Sequence, residues 1–373
     1  MPRFARCVFA VFLAVSFLSS SLTCQAAAPE TAAAAFILME AGSGRVLASR
    51  NETQERSIAS TTKIMTCLVA LEHSELTEQV TVKREHLREG SSMYLLEGET
   101  LTMEELLYGL MLPSGNDAAE CIAAHCGGNG GSAQFVRWMN EKAKALGMEH
   151  TSFANPSGLD EAGHGSCALD MARLAVYAMQ NPTFARIVST RTASVGTRTM
   201  TNHNKLLASY SGCVGLKTGY TGDAGRTLVT CAERGGMLLI AVTLHDGSDW
   251  ADHAALYDYG FSAYALSSGA KKGEAYGSVS VDGQSVSAVA AESFCYPVSE
   301  SESLSVRAEL PQTVSAPVRK GQTFGTLVIS CGETEVGRVD LVSACSVQAQ
   351  ETKSETSKNK SLAEKLWQFL SAK

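Results

Sequence analysis

An excess of positive charge and metal-binding cysteine patterns are both missing from this sequence. Its 38 aspartates and glutamates outnumber its 31 lysines and arginines among 373 residues, and no basic stripe occurs. Nucleic acid is therefore not an expected partner. The eleven cysteines form no C-x-x-C pair and no Cys/His cluster with zinc spacing, so neither a metal nor another cofactor is expected. Nine cysteines lie beyond residue 28, several in apolar runs, and we predict mostly free, buried thiols.

Long apolar runs are also missing, except at the amino terminus. Arg3 and Arg6 precede an apolar stretch over 7–22 and three alanines at 26–28, an order typical of a secretory signal. The apolar stretch is short and interrupted by serines, which disfavours the alternative of an uncleaved membrane anchor. We therefore predict that residues 1–28 are a signal peptide and that the protein is exported and extracytoplasmic.

Strand and helix patterns divide the next part of the chain into two domains. Residues 29–267 begin and end with strand patterns and carry helical patterns between them. This order predicts an α/β (α+β) domain, in which one antiparallel sheet is joined to an inserted helical subdomain. Residues 268–348 lose the helical periodicity and contain short β-rich runs, so we expect a small, separate β-sandwich-like domain.

The carboxyl terminus has a different composition again. Residues 349–360 are rich in serine, threonine, lysine and glutamate, which is typical of a flexible linker. Residues 361–373, SLAEKLWQFLSAK, repeat apolar residues at helical spacing and predict a short amphipathic helix. Such a helix can lie in a bilayer interface, so we predict peripheral attachment to the outer face of the cytoplasmic membrane. The alternative is a helix that docks on its own protein or frays.

A lysine stands where a buried helix is predicted to begin. In SIASTTKIMT (57–66), Lys63 is followed by an almost entirely apolar run. A cation in the first helical turn is disfavoured by roughly 0.3–1 kcal/mol, and broken local rules cluster at functional sites. Ser60 and Lys63 share a helix face, and burial would lower the pKa of the lysine until a neutral amine could accept the serine proton. The ordinary alternative is a capping serine beside a lysine that reaches solvent.

A second polar motif lies between two helical patterns. Ser114 and Asn116 could relay a proton and hold a substrate amide, while Gly115 would permit a tight turn. The alternative is structural, because Ser114 with Asp117 three residues later also makes a reasonable helix start. The motif by itself does not decide between these two interpretations.

A third motif lies within a strand pattern. Lys217 and Thr218 could pair with the terminal carboxylate of an extended peptide that docks on the strand edge. Gly219 has no side chain and would let the ligand backbone approach closely. Taken alone, K-T-G is a weak signal, but its position after the other two motifs makes a chance match improbable.

The order S-x-x-K, S-x-N, K-T-G is shared by penicillin-binding proteins and class A β-lactamases. The chain resembles the low-molecular-mass serine-type D-alanyl-D-alanine carboxypeptidases over residues 33–265, and its 316–330 segment resembles their β-rich C-terminal domain. The segments that carry the resemblance are ASTTKIMT (59–66), LMLPSGNDAA (110–119), NPSGLD (155–160) and GLKTGYTGDAG (215–225).

The resemblance implies a fold, an activity and a set of site residues. It implies a penicillin-binding/β-lactamase-like domain that removes the terminal D-alanine from peptidoglycan stem peptides and is inhibited by β-lactams. The implied site residues are Ser60 as acylated nucleophile, Lys63 as its base, Ser114 and Asn116 for proton relay and positioning, and Lys217, Thr218, Gly219 and Tyr220 for binding the substrate. The backbone N–H groups of Ser60 and Tyr220 would form the oxyanion hole.

Proteins with other functions carry the same three motifs. Class A β-lactamases deacylate through a glutamate in E-x-x-x-N, and that spacing is absent. The glutamates in the relevant interval, none followed by asparagine four residues later, are Glu120, Glu141, Glu149 and Glu161. A D,D-endopeptidase acting on wall cross-links stays open, and so does a non-catalytic β-lactam- or wall-binding module.

Two further classes of hydrolase lack their motifs. No G-x-S-x-G elbow occurs, which disfavours a hydrolase with a histidine base. The segment HDGSDWADH (245–253) contains His245, Asp246, Asp249 and His253 but no H-E-x-x-H pattern. We therefore predict a loop followed by a helix that starts at Asp249, and no metal site.

Overall fold

The computed structural model describes residues 28–349 and Trp367. The predicted signal peptide, linker and C-terminal helix therefore lie outside the described residues, apart from Ala28, Ala349 and Trp367, of which Trp367 is helical and exposed. Within the described part of the chain, no helix combines the length and apolar character needed to cross a membrane.

The first part of the chain alternates strands and helices. In chain order its elements are β1 (Ala35–Glu40), β2 (Val46–Arg50), α1 (Lys63–His73), β3 (Gln79–Thr81), β4 (Thr100–Thr102), α2 (Met103–Met111), α3 (Asn116–Cys126), α4 (Gly131–Ala145), α5 (Ala168–Met179), α6 (Pro182–Ser189), β5 (Thr192–Val195), β6 (Arg198–Thr201), α7 (Leu206–Ser209), β7 (Cys213–Thr221), β8 (Gly225–Arg234), β9 (Met237–Leu244) and α8 (Asp249–Ala263). Strands at both ends of this region with helices between them are present, which confirms the predicted fold class.

Strands from both ends of this region form one antiparallel sheet in the order β2-β1-β9-β8-β7. All six residues of β1 are buried because helices cover both faces of the sheet. Phe36 and Leu38 face the core beneath α8, while Ile37 and Met39 face the core of the helical subdomain. The alternation is the two-residue period of a strand. Strand β7 lies at the edge of the sheet and is open to a ligand.

Helix α1 runs through the middle of the helical subdomain. Its residues 63–70 are all buried, and it packs against α2, α3, α4 and α5. A helix that is apolar on every side must be enclosed in this way. The consequence is that Lys63, its first residue, begins inside the protein.

The second part of the chain is an all-β region, as predicted. Its strands are β10 (Ala265–Ala270), β11 (Ala275–Val281), β12 (Gln284–Ala290), β13 (Phe294–Val298), β14 (Leu304–Glu309), β15 (Thr313–Val314), β16 (Thr323–Cys331) and β17 (Thr334–Ser343). Six strands form a sheet in the order β14-β16-β17-β12-β11-β15, and β10 pairs with β13. Alternate residues such as Val279, Val281, Leu327 and Ile329 fill the core.

One arginine from the turn of the first hairpin joins the two regions. The Arg45 guanidinium donates to both carboxylate oxygens of Glu302, at 2.9 and 2.6 Å, and to the carbonyl of Pro297 at 2.6 Å. It also lies 5.1 Å from the centres of the Tyr264 and Tyr296 rings. Such a bidentate pair between two aromatic rings fixes the contact geometry as well as its charge.

The nine described cysteines are all free thiols. Those of the first region include four buried ones, Cys67, Cys121, Cys167 and Cys231. The expectation of mostly buried thiols is wrong for the all-β region, because Cys295 and Cys345 are exposed. Cys295 lies on β13, where a strand with one solvent-facing side leaves alternate positions open, and Cys345 follows the end of β17.

Candidate active site

The nucleophile lies on a short turn that leads into α1. Residues 59–62 form one turn of 3-10 helix, and Ala59 adopts a positive φ of 46°. Non-glycine residues in this conformation are strained and are often found at functional sites. Gly158 packs so closely on the turn that a Cβ atom there would collide with the carbonyl of Ala59. The turn is therefore held between the 155–158 segment and the start of the helix.

The Lys63 amine has three hydrogen-bond partners, and their chemistry differs. Its Nζ lies 3.0 Å from Ser60 Oγ, 2.8 Å from Asn116 Oδ1 and 2.6 Å from the carbonyl oxygen of Ser157. The Asn116 amide is oriented by its Nδ2, which donates to the carbonyl of Glu89 at 2.8 Å. Two of the three partners can only accept hydrogen bonds, and only the Ser60 hydroxyl can donate. A neutral amine would therefore direct its lone pair at Ser60.

The electrostatics of the site favour the neutral amine. Complete burial, followed by the positive charge of Lys217, holds the pKa of Lys63 well below its usual value, and the carboxylates of Asp117 and Glu120 oppose this shift. Burial lowers the pKa of Lys217 to about 7. Within the described residues neither ammonium has a carboxylate ion-pair partner. Lys217 can therefore change protonation state near neutral pH, which suits anion binding, while the lowered pKa of Lys63 favours the neutral amine that proton transfer needs.

The second motif forms the wall opposite the strand. Ser114 has a positive φ of 66°, and its buried Oγ has no hydrogen-bond partner among the described residues. The tight turn is thus made by Ser114, and the prediction that Gly115 permits it is wrong, because the φ of Gly115 is −57°. A Cβ on Gly115 would lie 2.7 Å from Asp117 Oδ1 and 3.0 Å from the carbonyl of Gly109. Glycine is needed there for space.

The third motif lies along the edge strand β7. Lys217 is buried, with its Nζ donating to the carbonyl of Thr218 at 3.0 Å, while Tyr220 is 72 % exposed. A Cβ on Gly219 would collide with the Thr227 hydroxyl and would lie 3.1 Å from the backbone nitrogen of Ser60. The sequence predicted that the backbone of a ligand would approach Gly219 closely. In the structure the turn that carries Ser60 approaches this glycine. Strand β7 and the turn that carries Ser60 are therefore closely packed at Gly219.

A groove of about 660 Å³ connects the three motifs. Ser60, Ser114, Thr218, Gly219 and Tyr220 line it, with Lys63 and Lys217 buried beside it. Sequence motifs did not identify the remaining walls, which are Ser91, residues 201–203, Lys205, Arg226, Asp249 and Trp250.

The acidic and histidine residues of the 245–253 segment are engaged within the protein. Asp249 begins α8, as predicted, and accepts hydrogen bonds from the Arg226 guanidinium. His253 is buried and hydrogen-bonds to Thr230 and Thr243 with its two ring nitrogens. No group of three or more potential metal ligands occurs within residues 28–349.

Asp117 has a larger role than the helix start that its spacing suggested. The carboxylate is buried and accepts hydrogen bonds from Ser92 Oγ at 2.6 Å, Met93 N at 3.1 Å and Leu95 N at 3.0 Å. It therefore ties the loop before β4 to the second motif. No local pattern marks this contact, because the partners are more than twenty residues away in the sequence.

Comparison with known proteins identifies the family. The profile of the D-alanyl-D-alanine carboxypeptidase family matches residues 22–248. That match covers more than half of the chain and all three motifs. The chain belongs to this family, the serine-type D-alanyl-D-alanine carboxypeptidases among the low-molecular-mass penicillin-binding proteins. The profile of the C-terminal domain of penicillin-binding protein 5 matches residues 264–349.

Individual relatives agree with this assignment to the carboxypeptidase family. The D-alanyl-D-alanine carboxypeptidase DacF of Bacillus subtilis is 33% identical over 313 residues, covering 79% of this chain and 80% of that protein. The carboxypeptidase DacB2 of Mycobacterium tuberculosis is 36% identical over 247 residues, covering 63% of this chain and 84% of that protein. The crystal structure of penicillin binding protein 5 from Haemophilus influenzae superposes with a TM-score of 0.76 at 26% identity, covering 87% of this chain and 99% of that one.

Proposed function

We propose that this chain removes the terminal D-alanine from peptidoglycan stem peptides through an acyl-enzyme on Ser60. The observation that carries the proposal is the environment of Lys63 Nζ, where two acceptors and one hydroxyl surround a fully buried amine. Such an amine is a base whose only proton source among its partners is the nucleophile. Family membership supplies the substrate class.

Acylation begins when the Ser60 proton moves to Lys63 Nζ. The Ser60 oxygen then bonds to the carbonyl carbon of the penultimate D-alanine, and the backbone N–H groups of Ser60 and Tyr220 stabilise the oxyanion. The bond between this carbon and the amide nitrogen breaks, and the departing amine takes the proton from Lys63 by way of the Ser114 hydroxyl. Asn116 holds the amine of Lys63 in place throughout, because the orientation of the Asn116 side chain is fixed by its hydrogen bond to the carbonyl of Glu89.

The terminal carboxylate of the substrate binds at Lys217 and Thr218. A carboxylate beside Lys217 favours the ammonium form, so binding returns the positive charge that burial disfavours. Water then attacks the ester on Ser60 and releases the shortened peptide. Penicillin acylates the same oxygen, and the missing E-x-x-x-N glutamate leaves its ester slow to hydrolyse.

The decisive experiment measures free D-alanine released from a peptide that ends in D-Ala-D-Ala. The protein without residues 1–28 is compared with its Ser60→Ala variant. Release by the first and none by the second is expected. Release by both would contradict the assignment of Ser60. Release by neither, together with cleavage of a cross-linked peptide dimer, would favour the D,D-endopeptidase.

We also propose that the protein is exported and lies peripherally on the outer face of the cytoplasmic membrane. The support comes from the sequence, namely the signal pattern in residues 1–28 and the amphipathic pattern in residues 361–373. Deletion of residues 361–373 is expected to move the protein from the membrane fraction to the soluble fraction. Unchanged membrane attachment after this deletion would contradict the anchor.

A further inference from the structure

The loop between Ser152 and Gly165 supplies one of the hydrogen-bond partners of the Lys63 amine. Its two ends are joined by a pair of backbone hydrogen bonds of 3.0 Å between Ser152 and Gly165. In its middle the carbonyl of Ser157 accepts from Lys63 Nζ at 2.6 Å, and the preceding carbonyl accepts from Thr66 Oγ1 at 2.6 Å. Both contacts with α1 use backbone atoms of the loop, so their geometry depends on what holds the loop against the helix.

The ring of His164 joins this loop to the turn that carries the nucleophile. The residue is buried, and its Nε2 lies 2.8 Å from Thr62 Oγ1. Its Nδ1 lies 3.1 Å from the backbone nitrogen of Ala154, which can only donate. Nδ1 therefore carries no proton, and the neutral ring donates its Nε2 proton to the Thr62 hydroxyl. The two contacts fix the tautomer of the ring as well as its orientation.

The two partners of His164 belong to the two parts that must be aligned. Ala154 lies in the same loop as Ser157, whereas Thr62 directly precedes Lys63 in the chain. One buried side chain therefore connects the loop that offers the carbonyl with the helix that begins with the amine. Reacting groups need this kind of support, because a displacement of about 1 Å is enough to slow a reaction strongly.

His164 lies away from the bound substrate. It lines a separate cavity of about 440 Å³, whose walls are residues 55–57, 149–152 and 163–165. Among the described residues, the linings of this cavity and of the active-site groove have no member in common. A change at His164 can therefore alter the alignment of Lys63 without removing a contact to a ligand in the groove.

The connection requires a neutral ring, and the surroundings favour that form. Burial holds the pKa of His164 below its usual 6.5, with the charge of Lys63 acting in the same direction and those of Glu161 and Asp160 opposing it. A proton on Nδ1 would face the N–H of Ala154 and break the bond within the loop. The other titratable or charged groups near the ring line the same cavity, and they are Glu55, Arg56, Glu149 and His150.

We propose that His164 is a positioning residue for acylation, which through Thr62 fixes the loop at the start of α1 and so holds the carbonyl of Ser157 on Lys63 Nζ. The inference rests on the proposed function, in which Lys63 takes the proton of Ser60. Without the bond between His164 and Thr62, the carbonyl and the amine are no longer fixed relative to each other. The lone pair of the amine is then directed at Ser60 for less of the time, and proton transfer slows.

The test measures acylation of Ser60 by penicillin, since the rate constant at saturation and the half-saturating concentration are obtained separately. Two variants of His164 differ by one methylene. His164→Gln reaches the Thr62 hydroxyl with an amide that stays neutral, whereas His164→Asn is shorter and can serve only the N–H of Ala154. A third variant, Thr62→Val, removes the hydroxyl and keeps the branched shape.

The matched control is His150→Asn. It makes the same substitution at another histidine of the same cavity, whose ring lies 3.5 Å from the Glu55 carboxylate. Every rate is taken per molecule that is finally labelled on Ser60, so that a smaller folded fraction does not change it. A residue that only stabilised the fold would leave this rate constant unaltered.

His164→Asn is expected to lower the rate constant at saturation by about 10–10²-fold and to leave the half-saturating concentration unchanged. Thr62→Val is expected to show the same loss, and the double variant no more than either single one, because both remove one contact. His164→Gln and His150→Asn are expected to acylate at close to the wild-type rate.

Three results would overturn the role of His164. They are a wild-type rate constant in His164→Asn or Thr62→Val, an equal loss in His164→Gln and His164→Asn, and losses that multiply in the double variant. Thr62→Val decides the matter by itself if His164→Asn does not fold. Absence of a Ser60 adduct in the wild-type protein would instead contradict the proposed function.

Discussion

Two clusters of charged side chains, around Lys63 and around Arg45, are built in opposite ways. Lys63 is fully buried, and its hydrogen-bond partners are uncharged. Arg45 lies at the joint between the two regions and is paired with both oxygens of Glu302. Burial drives the pKa of Lys63 well down. At Arg45 burial is the largest single influence and also acts downward, but hydrogen bonding to Glu302 and the electrostatic effects of Glu302 and the two tyrosines together outweigh it and raise the pKa.

The difference separates a cation that holds the structure together from one that performs chemistry. A paired cation remains charged, and its contact contributes to stability. A buried amine without a counterion costs stability as an ammonium and is therefore easily deprotonated. The sequence position of Lys63, at the wrong end of a helix, adds to the same effect. Each of the following changes alters one cluster and leaves the other intact.

The largest effect is expected from Lys63→Arg. This variant keeps a positive charge at the nucleophile but removes the base, because a guanidinium stays protonated in proteins. The second-order rate of acylation by penicillin, followed by mass spectrometry of the Ser60 adduct, is expected to fall by about 10²–10⁴. The matched control, Arg45→Lys, changes a cation of the other cluster and is expected to acylate at the wild-type rate. Acylation of Lys63→Arg at that rate would refute the role of the amine.

The pH dependence of kcat/KM is expected to report both buried lysines. Lys63 must be neutral, which gives an acidic limb, and Lys217 must be charged to bind the terminal carboxylate. With the pKa of Lys217 at about 7, kcat/KM is expected to decline above that pH by about tenfold per unit. In Lys217→Arg the charge cannot be lost, so the alkaline decline is expected to disappear. If that variant keeps the decline, another group is responsible for it.

A smaller effect is expected from Asp117→Asn. The negative charge of Asp117 favours the ammonium form of Lys63, so its removal is expected to move the acidic limb of kcat/KM to lower pH. The loop bonds to Met93 and Leu95 are also weakened, and kcat/KM at its optimum is expected to fall about tenfold.

The control for Asp117→Asn is Glu120→Gln. Glu120 acts on the charge of Lys63 in the same direction, and it is bonded to Arg88 and Ser132 rather than to residues 92–95. This variant is therefore expected to move the acidic limb without the loss at the optimum. An unmoved limb in both variants would show that carboxylate charge does not control the base.

Local patterns predicted the elements and the three motifs because each depends on residues close together in the sequence. The apolar run after Lys63, the alternation in β1 and the K-T-G strand are examples. Helical spacing alone was enough to bring Ser60 and Lys63 together. The family resemblance then placed Asn116 in the same site, and the structure puts its Oδ1 2.8 Å from the amine.

The parts that could not be predicted depend on tertiary contacts. The carbonyl of Ser157 reaches Lys63 across 94 positions of sequence, and any residue type can supply a carbonyl. The contact of Asp117 with the loop before β4 follows from chain packing, as does the pairing of Arg226 with Asp249. The predicted role of Gly115 in the turn was wrong for the same reason, because it also depends on tertiary contacts. A glycine can be needed for its φ or for space, and only the neighbours distinguish the two.

The smallest effect is expected at the joint between the two regions. A double-mutant cycle on Arg45→Ala and Glu302→Gln, measured by denaturant unfolding, is expected to give a coupling energy of about 1 kcal/mol, since the pair is bidentate but partly exposed. The matched control pair is Arg338 with Glu335, which has a similar geometry but is open to solvent, and its coupling is expected to be smaller. Equal coupling energies in the two pairs would show that the Arg45–Glu302 pair contributes no more to stability than an exposed surface pair.

The same cycle has a defined pH dependence. Hydrogen bonding to Arg45 lowers the pKa of Glu302 to about 2, below the ordinary value of 4.5. A carboxylate whose pKa falls on folding contributes its stability fully above the unfolded value and loses it as the pH falls through the folded one. The coupling is therefore expected to be constant from neutral pH down to about 4.5, to decrease below that and to vanish near 2. At pH 5–7 the Arg45 cluster therefore keeps its charges, whereas the pKa of Lys217, beside the nucleophile, is about 7. One scan of pH thus separates the structural cluster from the chemical one.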